Sequence, residues 1–230
     1  MRKFTKKQKF MHNLIDHKKV FEIEEGIEIL KKMAISKFNE SIDISINLNI
    51  NSKKSDQNIR NSAILPHGTG KTIKIVVFTT GKNVDIAKSL GVEYVGLHDL
   101  SDIIKSGKIN FNVAIASTET MNVVSKLGPI LGPRGLMPNP KLGTVTDNIE
   151  NAIKNAKKGQ INYKNDKNGI VHTSIGKINF TNKNIQENLN TLLISIKKSK
   201  PKNLKGLYIK KITISTTMSL GINVNINNLS

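Results

Sequence analysis

The chain has 230 residues, with 36 Lys and Arg against 17 Asp and Glu for a formal net charge of +19, no Cys, no Trp and 4% aromatic residues. That length suits one large or two modest domains and buries roughly 70% or more of the unfolded surface, while the absence of cysteine excludes disulfide scaffolds, thiolate metal sites, Fe–S clusters and cysteine nucleophiles. The charge bears on partners rather than fold: it favours polyanions, nucleic acid or an anionic membrane, although a Lys-, Asn- and Ile-rich composition also raises it without any partner.

At the N-terminus Arg2, Lys3, Lys6, Lys7 and Lys9 carry the charge of a signal-peptide n-region, but His12, Asn13, Asp16 and His17 follow where an apolar stretch should be, so no export signal is expected. Apolar runs such as Ile75 to Phe78 fall far short of the roughly 20 residues of a bilayer span; a cytoplasmic protein with no membrane partner is expected. Ile23, Ile27, Leu30 and Ala34 form the stripe of an amphipathic helix. After Phe38 the period changes to two: Ile42, Ile44, Ile46, Leu48 and Ile50 alternate with polar residues, as in a strand with one wet face. Ile75 to Phe78, Val92 to Val95 and Val113 to Ala116 are short continuous apolar runs, the mark of strands covered on both faces. Between them the sequence predicts helices Val84 to Leu90, Leu100 to Ser106 and Glu119 to Leu127, closed by Gly91, Gly107 and Gly128 in left-handed caps. Asp147 is the expected N-cap of a further helix, with Glu150 in capping-box spacing. The last third returns to the first pattern: a helix stripe from Ile185 to Ile196 ending in Lys197, Lys198, Lys200 and Pro201, then alternation through Ile212, Ile214 and Thr216 and through Ile222, Val224 and Ile226.

These patterns predict a discontinuous α+β domain of antiparallel sheet with helices, residues 1–66 plus 160–230, carrying an inserted α/β three-layer, Rossmann-like domain at residues 67–159. Segments 1–66, 67–159 and 160–230 hold 13, 12 and 11 basic residues against 8, 7 and 2 acidic ones. The two outer segments therefore carry +14 over 137 residues and the middle +5 over 93, which makes the outer domain the expected nucleic-acid binder.

Catalytic chemistry finds little support. His67-Gly68-Thr69-Gly70-Lys71-Thr72 lacks the first glycine of a phosphate loop, Leu65 standing there, and runs into a strand rather than a helix; it reads as a hinge. No G-x-G-x-x-G follows a strand, and no cofactor is expected. His12 and His17 would point about 140° apart on a helix and cannot share a metal. The densest signal is Gly128 to Lys141, which holds four of the six prolines. Prolines fix φ and glycines admit close approach, so this is either a stiff connection or a rigid exposed contact loop presenting Arg134, Lys141 and open backbone N–H groups. Phe38 reads as core or as a stacking platform, and Thr216 to Gly221 as a hairpin turn.

Taken in order, Phe38-Asn39-Glu40-Ser41 before the first strand, Ser55-Asp56-Gln57-Asn58-Ile59-Arg60, Leu65-Pro66-His67-Gly68-Thr69-Gly70-Lys71, Gly91-Val92-Glu93-Tyr94-Val95-Gly96, the Gly/Pro loop, Asn165-Asp166-Lys167-Asn168-Gly169 and Thr217-Met218 match one family. Over essentially its whole length the chain resembles the bacterial large-subunit ribosomal protein L-one family, the proteins of the mobile stalk beside the ribosomal E site. The resemblance implies a non-enzymatic, monomeric component of the cytoplasmic ribosome that binds a stalk region of large-subunit rRNA, mainly through the discontinuous domain. It also implies help in release of deacylated E-site tRNA and, in many members, repression of the own-operon mRNA. By motif it places Lys37, Phe38, Glu40, Ser41, Asp43, Thr217, Met218 and Ser219 at the rRNA, with Lys167 and His172 beside them, Arg134 and Lys141 as contacts of the second domain, and Pro66, Gly68, Gly70 and Gly159 at the hinge. A carboxylate there would accept ribose 2′-hydroxyl protons, the groups that distinguish RNA from DNA. Ser219 and Leu220 stand where the family has Gly-Pro, which raises the question of what keeps that turn tight and whether Gly221 restores backbone freedom. Two other readings remain: a nucleotide- or cofactor-dependent α/β enzyme with a basic accessory domain, and a DNA-binding regulator.

Overall fold

A computed structural model describes residues 5–15, 19–107, 110–202, 204 and 206–225; Met1 to Phe4, Asp16, His17 and Ile226, which the sequence reading drew on, lie outside them. In chain order the elements are α1 (Lys6–Leu14), α2 (Ile23–Met33), β1 (Ser41–Leu48), β2 (Arg60–Ile64), β3 (Ile75–Phe78), α3 (Lys82–Ser89), β4 (Tyr94–Gly96), α4 (His98–Lys105), β5 (Val113–Ala116), α5 (Met121–Ser125), α6 (Gly128–Leu131), α7 (Ile149–Lys157), β6 (Gln160–Lys164), β7 (Ile170–Lys177), α8 (Asn182–Lys198), β8 (Ile209–Thr216) and β9 (Ile222–Val224). Contacts divide the chain into two compact units, Met1–Gly70 with Ile161–Ser230 and Lys71–Gln160.

In the first unit four strands form an antiparallel sheet in the order β7-β1-β8-β9, and β2 pairs with β6. Strand alternation sorts β1 cleanly: Ile42, Ile44, Ile46 and Leu48 are buried, while Ser41, Asp43, Ser45 and Asn47 face the other way. The buried row joins one core with Ile27, Leu30 and Met33 of α2 and Leu189, Leu192, Leu193 and Ile196 of α8. Each such side chain contributes about 1.5–3 kcal/mol on leaving water, which fixes the register, since a slip by one residue would turn the whole row outward. Helix α8 starts at Thr181, whose hydroxyl accepts from the Asn184 N–H, and ends with Lys197 and Lys198 in the last turn, where cations suit the helix dipole.

The Leu65 to Gly70 segment is fastened to this unit. Asn188 is 0% exposed on α8; its Oδ1 accepts from the His67 N–H at 3.1 Å, and its Nδ2 donates to Gly68 O at 3.0 Å and Ile175 O at 2.8 Å. Gly70 has φ +69°, and a Cβ there would lie 2.8 Å from Lys177 Cγ and 3.1 Å from Phe180 Cε1. Both its conformation and its surroundings therefore require glycine.

The second unit is a parallel sheet, β4-β3-β5. The continuous apolar strands β3 and β5 are explained by two covered faces: Ile75, Val77 and Ile115 pack with α3 and α7, and Val76, Phe78, Ala114 and Ala116 with α4 to α6. Val92 to Val95 does not form such a strand: β4 starts at Tyr94 and, at the sheet edge, is only half-buried. Gly91 and Gly107 follow their helices with φ +69° and +83°, the left-handed caps expected. Gly128 differs: its φ is not positive, and it begins α6 instead of closing a helix, because Leu131 continues the apolar stripe of Val124 and Leu127 into the same core. The cap of α7 also moves by one residue. Asn148 accepts from the Asn151 N–H, whereas the Asp147 carboxylate is occupied by the Thr118 N–H across the sheet end.

Candidate nucleic-acid interface

The start of β1 and the end of β8 meet at one corner of the antiparallel sheet. Ile42 pairs with Thr216, so residues 37–41 lie beside the turn at 217–219. The two chain segments are tied by side chains. Thr217 Oγ1 accepts from the Ser41 N–H at 3.1 Å, and the Met218 N–H donates to Glu40 Oε2 at 3.0 Å. Ser219 Oγ accepts from the Thr216 N–H at 2.8 Å and donates to Leu220 O at 3.1 Å. Ser219 thus tightens the turn with its hydroxyl where the family uses Gly-Pro, and Leu220 packs against the core. Gly221 supplies no unusual backbone freedom, since its φ is not positive; it gives clearance, a Cβ there falling 2.8 Å from Thr213 Cγ2.

Of the residues assigned to RNA, Lys37, Phe38, Thr217 and Met218 are exposed at this corner, with Phe38 at 53% and Met218 at 54%. Two large apolar side chains held in solvent next to hydroxyls and a lysine form a surface suited to stacking and van der Waals contact, so Phe38 is not a core residue. Glu40 is the exception: it is 1% exposed, and its carboxylate is turned inward. It holds the turn at 217–219 from beneath and does not present an acceptor at the surface. Burial pushes its carboxyl up, but the hydroxyl of Thr216, the groups of Ser36 and the Met218 N–H outweigh that and hold it below the usual 4.5. Oε1 has no closed hydrogen bond, and neither has Thr216 Oγ1.

From this corner the polar row of β1 leads across the open sheet face. Asp43 pairs with Ser174 on β7 and Ser215 on β8, Ser45 with His172 and Thr213, and Asn47 with Lys211. Thr213 Oγ1 donates to Asn223 Oδ1 at 3.2 Å on β9. The face is a lawn of short hydroxyl and amide groups with His172 and Lys211 at its far side. Ser45, Ser174, Thr213, Ser215 and Asn223 were missed from sequence; the signal was the polar phase of each alternating strand, which needs the pairing register before it becomes a surface. His172 Nδ1 lies 3.0 Å from Ser45 Oγ, and its Nε2 lies 3.8 Å from Asp166 Oδ2. The Ile170 N–H, with the Asn168 N–H and His172 adding to it against desolvation, holds the Asp166 carboxyl below the usual range. Lys167 is exposed on the same turn, several residues along the strands from Met218.

In the second unit, Leu136 and Met137 tie the Gly/Pro loop to the core, while Arg134 and Lys141 are exposed. The expected open N–H groups are mostly occupied: those of Gly132, Gly135, Leu136 and Lys141 are bonded within the loop, and that of Asn139 to Thr144 Oγ1 just beyond it. The loop therefore offers side chains rather than a backbone nest. Gly68 and Gly159 have φ +64° and +97°, and Pro66 is exposed. Among the described residues no group of three His, Asp or Glu could hold a metal, and no helix is long and apolar enough to cross a membrane.

Comparison with known proteins covers the whole of this corner and sheet face. The chain matches the ribosomal protein L1p/L10e family over residues 30–220, a span that includes every residue from Lys37 to Ser219 discussed above. It is 60% identical over 230 residues, all of this chain and 99% of the relative, to the large ribosomal subunit protein uL1 of Buchnera aphidicola subsp. Baizongia pistaciae (strain Bp). The chain belongs to the ribosomal protein L1p/L10e family.

Proposed function

We propose that this chain, a ribosomal protein of the large subunit and not an enzyme, binds large-subunit rRNA directly through its first unit and thereby forms part of the mobile stalk near the E site. The observation that carries the reading is the Glu40 clamp: a buried carboxylate holds an exposed Phe38 and Met218 next to a sheet face of hydroxyls. About half of each of these apolar side chains lies open to solvent, free to meet a base, and hydroxyls on a flat face fit ribose 2′-hydroxyls in a shallow minor groove. Lys37, Lys167 and Lys211 supply phosphate attraction, while Ser41, Asp43, Thr217, Met218, Ser219 and His172 supply the choice of site. Glu40 acts through the turn it positions.

In this reading the unit Lys71–Gln160 is an inserted domain whose Arg134 and Lys141 also contact RNA, and the protein acts as a monomer in the cytoplasmic ribosome. It assists release of deacylated tRNA and represses its own-operon mRNA through an RNA site that resembles the rRNA site. Gly70 and Gly159 flank the crossings between the units and serve as the hinge; Pro66 and Gly68 support it from the fixed side, because Asn188 holds that segment.

The test is sedimentation of a cell lysate with binding of the purified chain to a stalk fragment of large-subunit rRNA. Comigration with large subunits is expected, and affinity for the fragment should fall about 10³–10⁵-fold between roughly 50 and 200 mM salt for ~6–10 phosphate contacts. A solely free pool, or salt-insensitive binding, overturns the reading.

A further inference from the structure

Beyond the open sheet face, on the β2–β6 side of the first unit, lies a groove of about 730 Å³ lined by Lys53, Arg60, Lys164 and Lys167 together with Asn165 and Asp166. Arg60 opens β2 and Lys164 closes β6, so two of the cations stand on strand ends. The rims are fastened to each other. The Ile59 N–H donates to Asn165 Oδ1 at 2.7 Å, Asn165 Nδ2 donates to Asn58 Oδ1 at 3.1 Å, and Ser52 Oγ donates to Lys167 O. The groove is thus held open by hydrogen bonds that do not involve its charges.

All four cations are exposed, and among the described residues none of them is in an ion pair. The one acid in the groove is already occupied. Asp166 Oδ1 accepts from the Asn168 and Ile170 N–H groups at 2.8 Å each, and Oδ2 faces His172. Four cations stand around the groove against the single carboxylate of Asp166, which its backbone N–H partners hold in place at one side; the excess of positive charge repels itself, and an incoming anion relieves that repulsion. His172 links the two regions: it faces Asp166 Oδ2 at the groove and pairs with Ser45 on the hydroxyl face.

We propose that this groove is a phosphate-backbone clamp, in which Lys53, Arg60 and Lys164, with Lys167 at the edge, grip the RNA strand that continues past the sheet face. The clamp rests on the RNA-binding reading above, but it assigns three cations to which that reading gives no part. They contribute attraction and register, not base choice, since a phosphate carries no sequence information.

The test is a full-length triple variant, Lys53→Gln, Arg60→Gln and Lys164→Gln, measured against wild type on the rRNA stalk fragment and on random-sequence duplex RNA of equal length, at several salt concentrations. Each phosphate contact contributes about 0.9 to the slope of log affinity against log salt, so the slope should drop by about 2–3 and the loss of affinity between roughly 50 and 200 mM salt should shrink about 40-fold. Arg60→Lys with the other two residues native should keep nearly the full slope, and a circular-dichroism melt checks that the exposed substitutions leave the fold intact. A triple variant with the wild-type slope overturns the clamp. If wild type binds both RNAs equally while the variant's slope drops, the clamp stands and the site-specific reading fails; if wild type binds neither RNA, both fall.

Discussion

Replacing Glu40 by Gln separates a carboxylate that touches RNA from one that positions the turn. The substitution keeps the size of the side chain and leaves an amide oxygen to accept from the Met218 N–H, now 3.0 Å from Oε2. What it removes is charge. A hydrogen bond to an ionised group contributes about 1.5–3 kcal/mol and a neutral one about 0.5–1.5 kcal/mol, so Glu40→Gln should cost about 1 kcal/mol. For a unit of this size that is a fall of roughly 3–5 °C in melting temperature. The pH dependence has a definite sign. Burial alone would raise the Glu40 carboxyl, yet the nearby Thr216 hydroxyl, the groups of Ser36 and the bonded Met218 N–H hold it below 4.5 in the folded protein. Its contribution is therefore present in full above about pH 4.5, the unfolded value, and is lost as pH falls through the lower folded one. Calorimetry of wild type and Glu40→Gln should show the gap at pH 7 and its disappearance in acid. Affinity for the rRNA fragment should fall about fivefold at most, the equivalent of 1 kcal/mol of turn ordering. A variant that melts like wild type at pH 7 but loses much of its RNA affinity would place the carboxylate against the RNA and refute the positioning role. A gap that widens in acid would refute the electrostatics.

Other substitutions probe the elements that hold the site. Gly70→Ala combines a left-handed φ with a Cβ 2.8 Å from Lys177 Cγ; a loss of about 2–4 kcal/mol is expected in urea unfolding. Asn188→Ala leaves the His67 N–H and two carbonyls without their buried partner, so a similar loss of about 2–4 kcal/mol should appear, with faster hydrogen exchange at the His67 amide than at the α8 core. Gly221→Ala pushes on Thr213 Cγ2 and strains the Thr213 to Asn223 bond; about 1–3 kcal/mol in thermal melting is expected. Ser219→Ala removes the acceptor of the Thr216 N–H and should cost about 1 kcal/mol, read out as a larger loss of affinity for the rRNA fragment than for random duplex.

Local signals in the sequence were strongest where one periodicity ruled. The alternation of β1 identified its buried row, and the unbroken runs Ile75 to Phe78 and Val113 to Ala116 pointed to strands covered on both faces, because each pattern depends only on neighbours in the chain. Glu40 was not legible in the same way. An acid after Phe-Asn looks like any surface acid, and its burial depends on a turn 178 residues away supplying the Met218 N–H. Asn188 was hidden for the same reason: it interrupts an apolar helix face, and only the return of His67 and Gly68 explains it. Asp147 and Asn148 are equally good caps by residue type, and the Thr118 N–H decides between them. Gly128 read as a stop because its loop was seen as the end of a helix, whereas Leu131 carries the stripe onward into the core. Family motif order identified the corner at Phe38 and Met218; the hydroxyl face between that corner and His172 became visible only with the strand register.

Whether the first unit reads RNA through the Phe38 and Met218 corner is decided most directly by titrating wild type, Met218→Asp and Phe38→Ala against the rRNA stalk fragment and against random duplex RNA at one fixed salt concentration. Both side chains are more than half exposed, so the fold should survive each change. Affinity for the fragment is expected to fall at least about tenfold, with the affinity for random duplex nearly unchanged for Phe38→Ala and only slightly lower for Met218→Asp, which adds one negative charge. Equal losses on the two RNAs, or no loss on the fragment, would contradict the assignment of this corner to rRNA recognition.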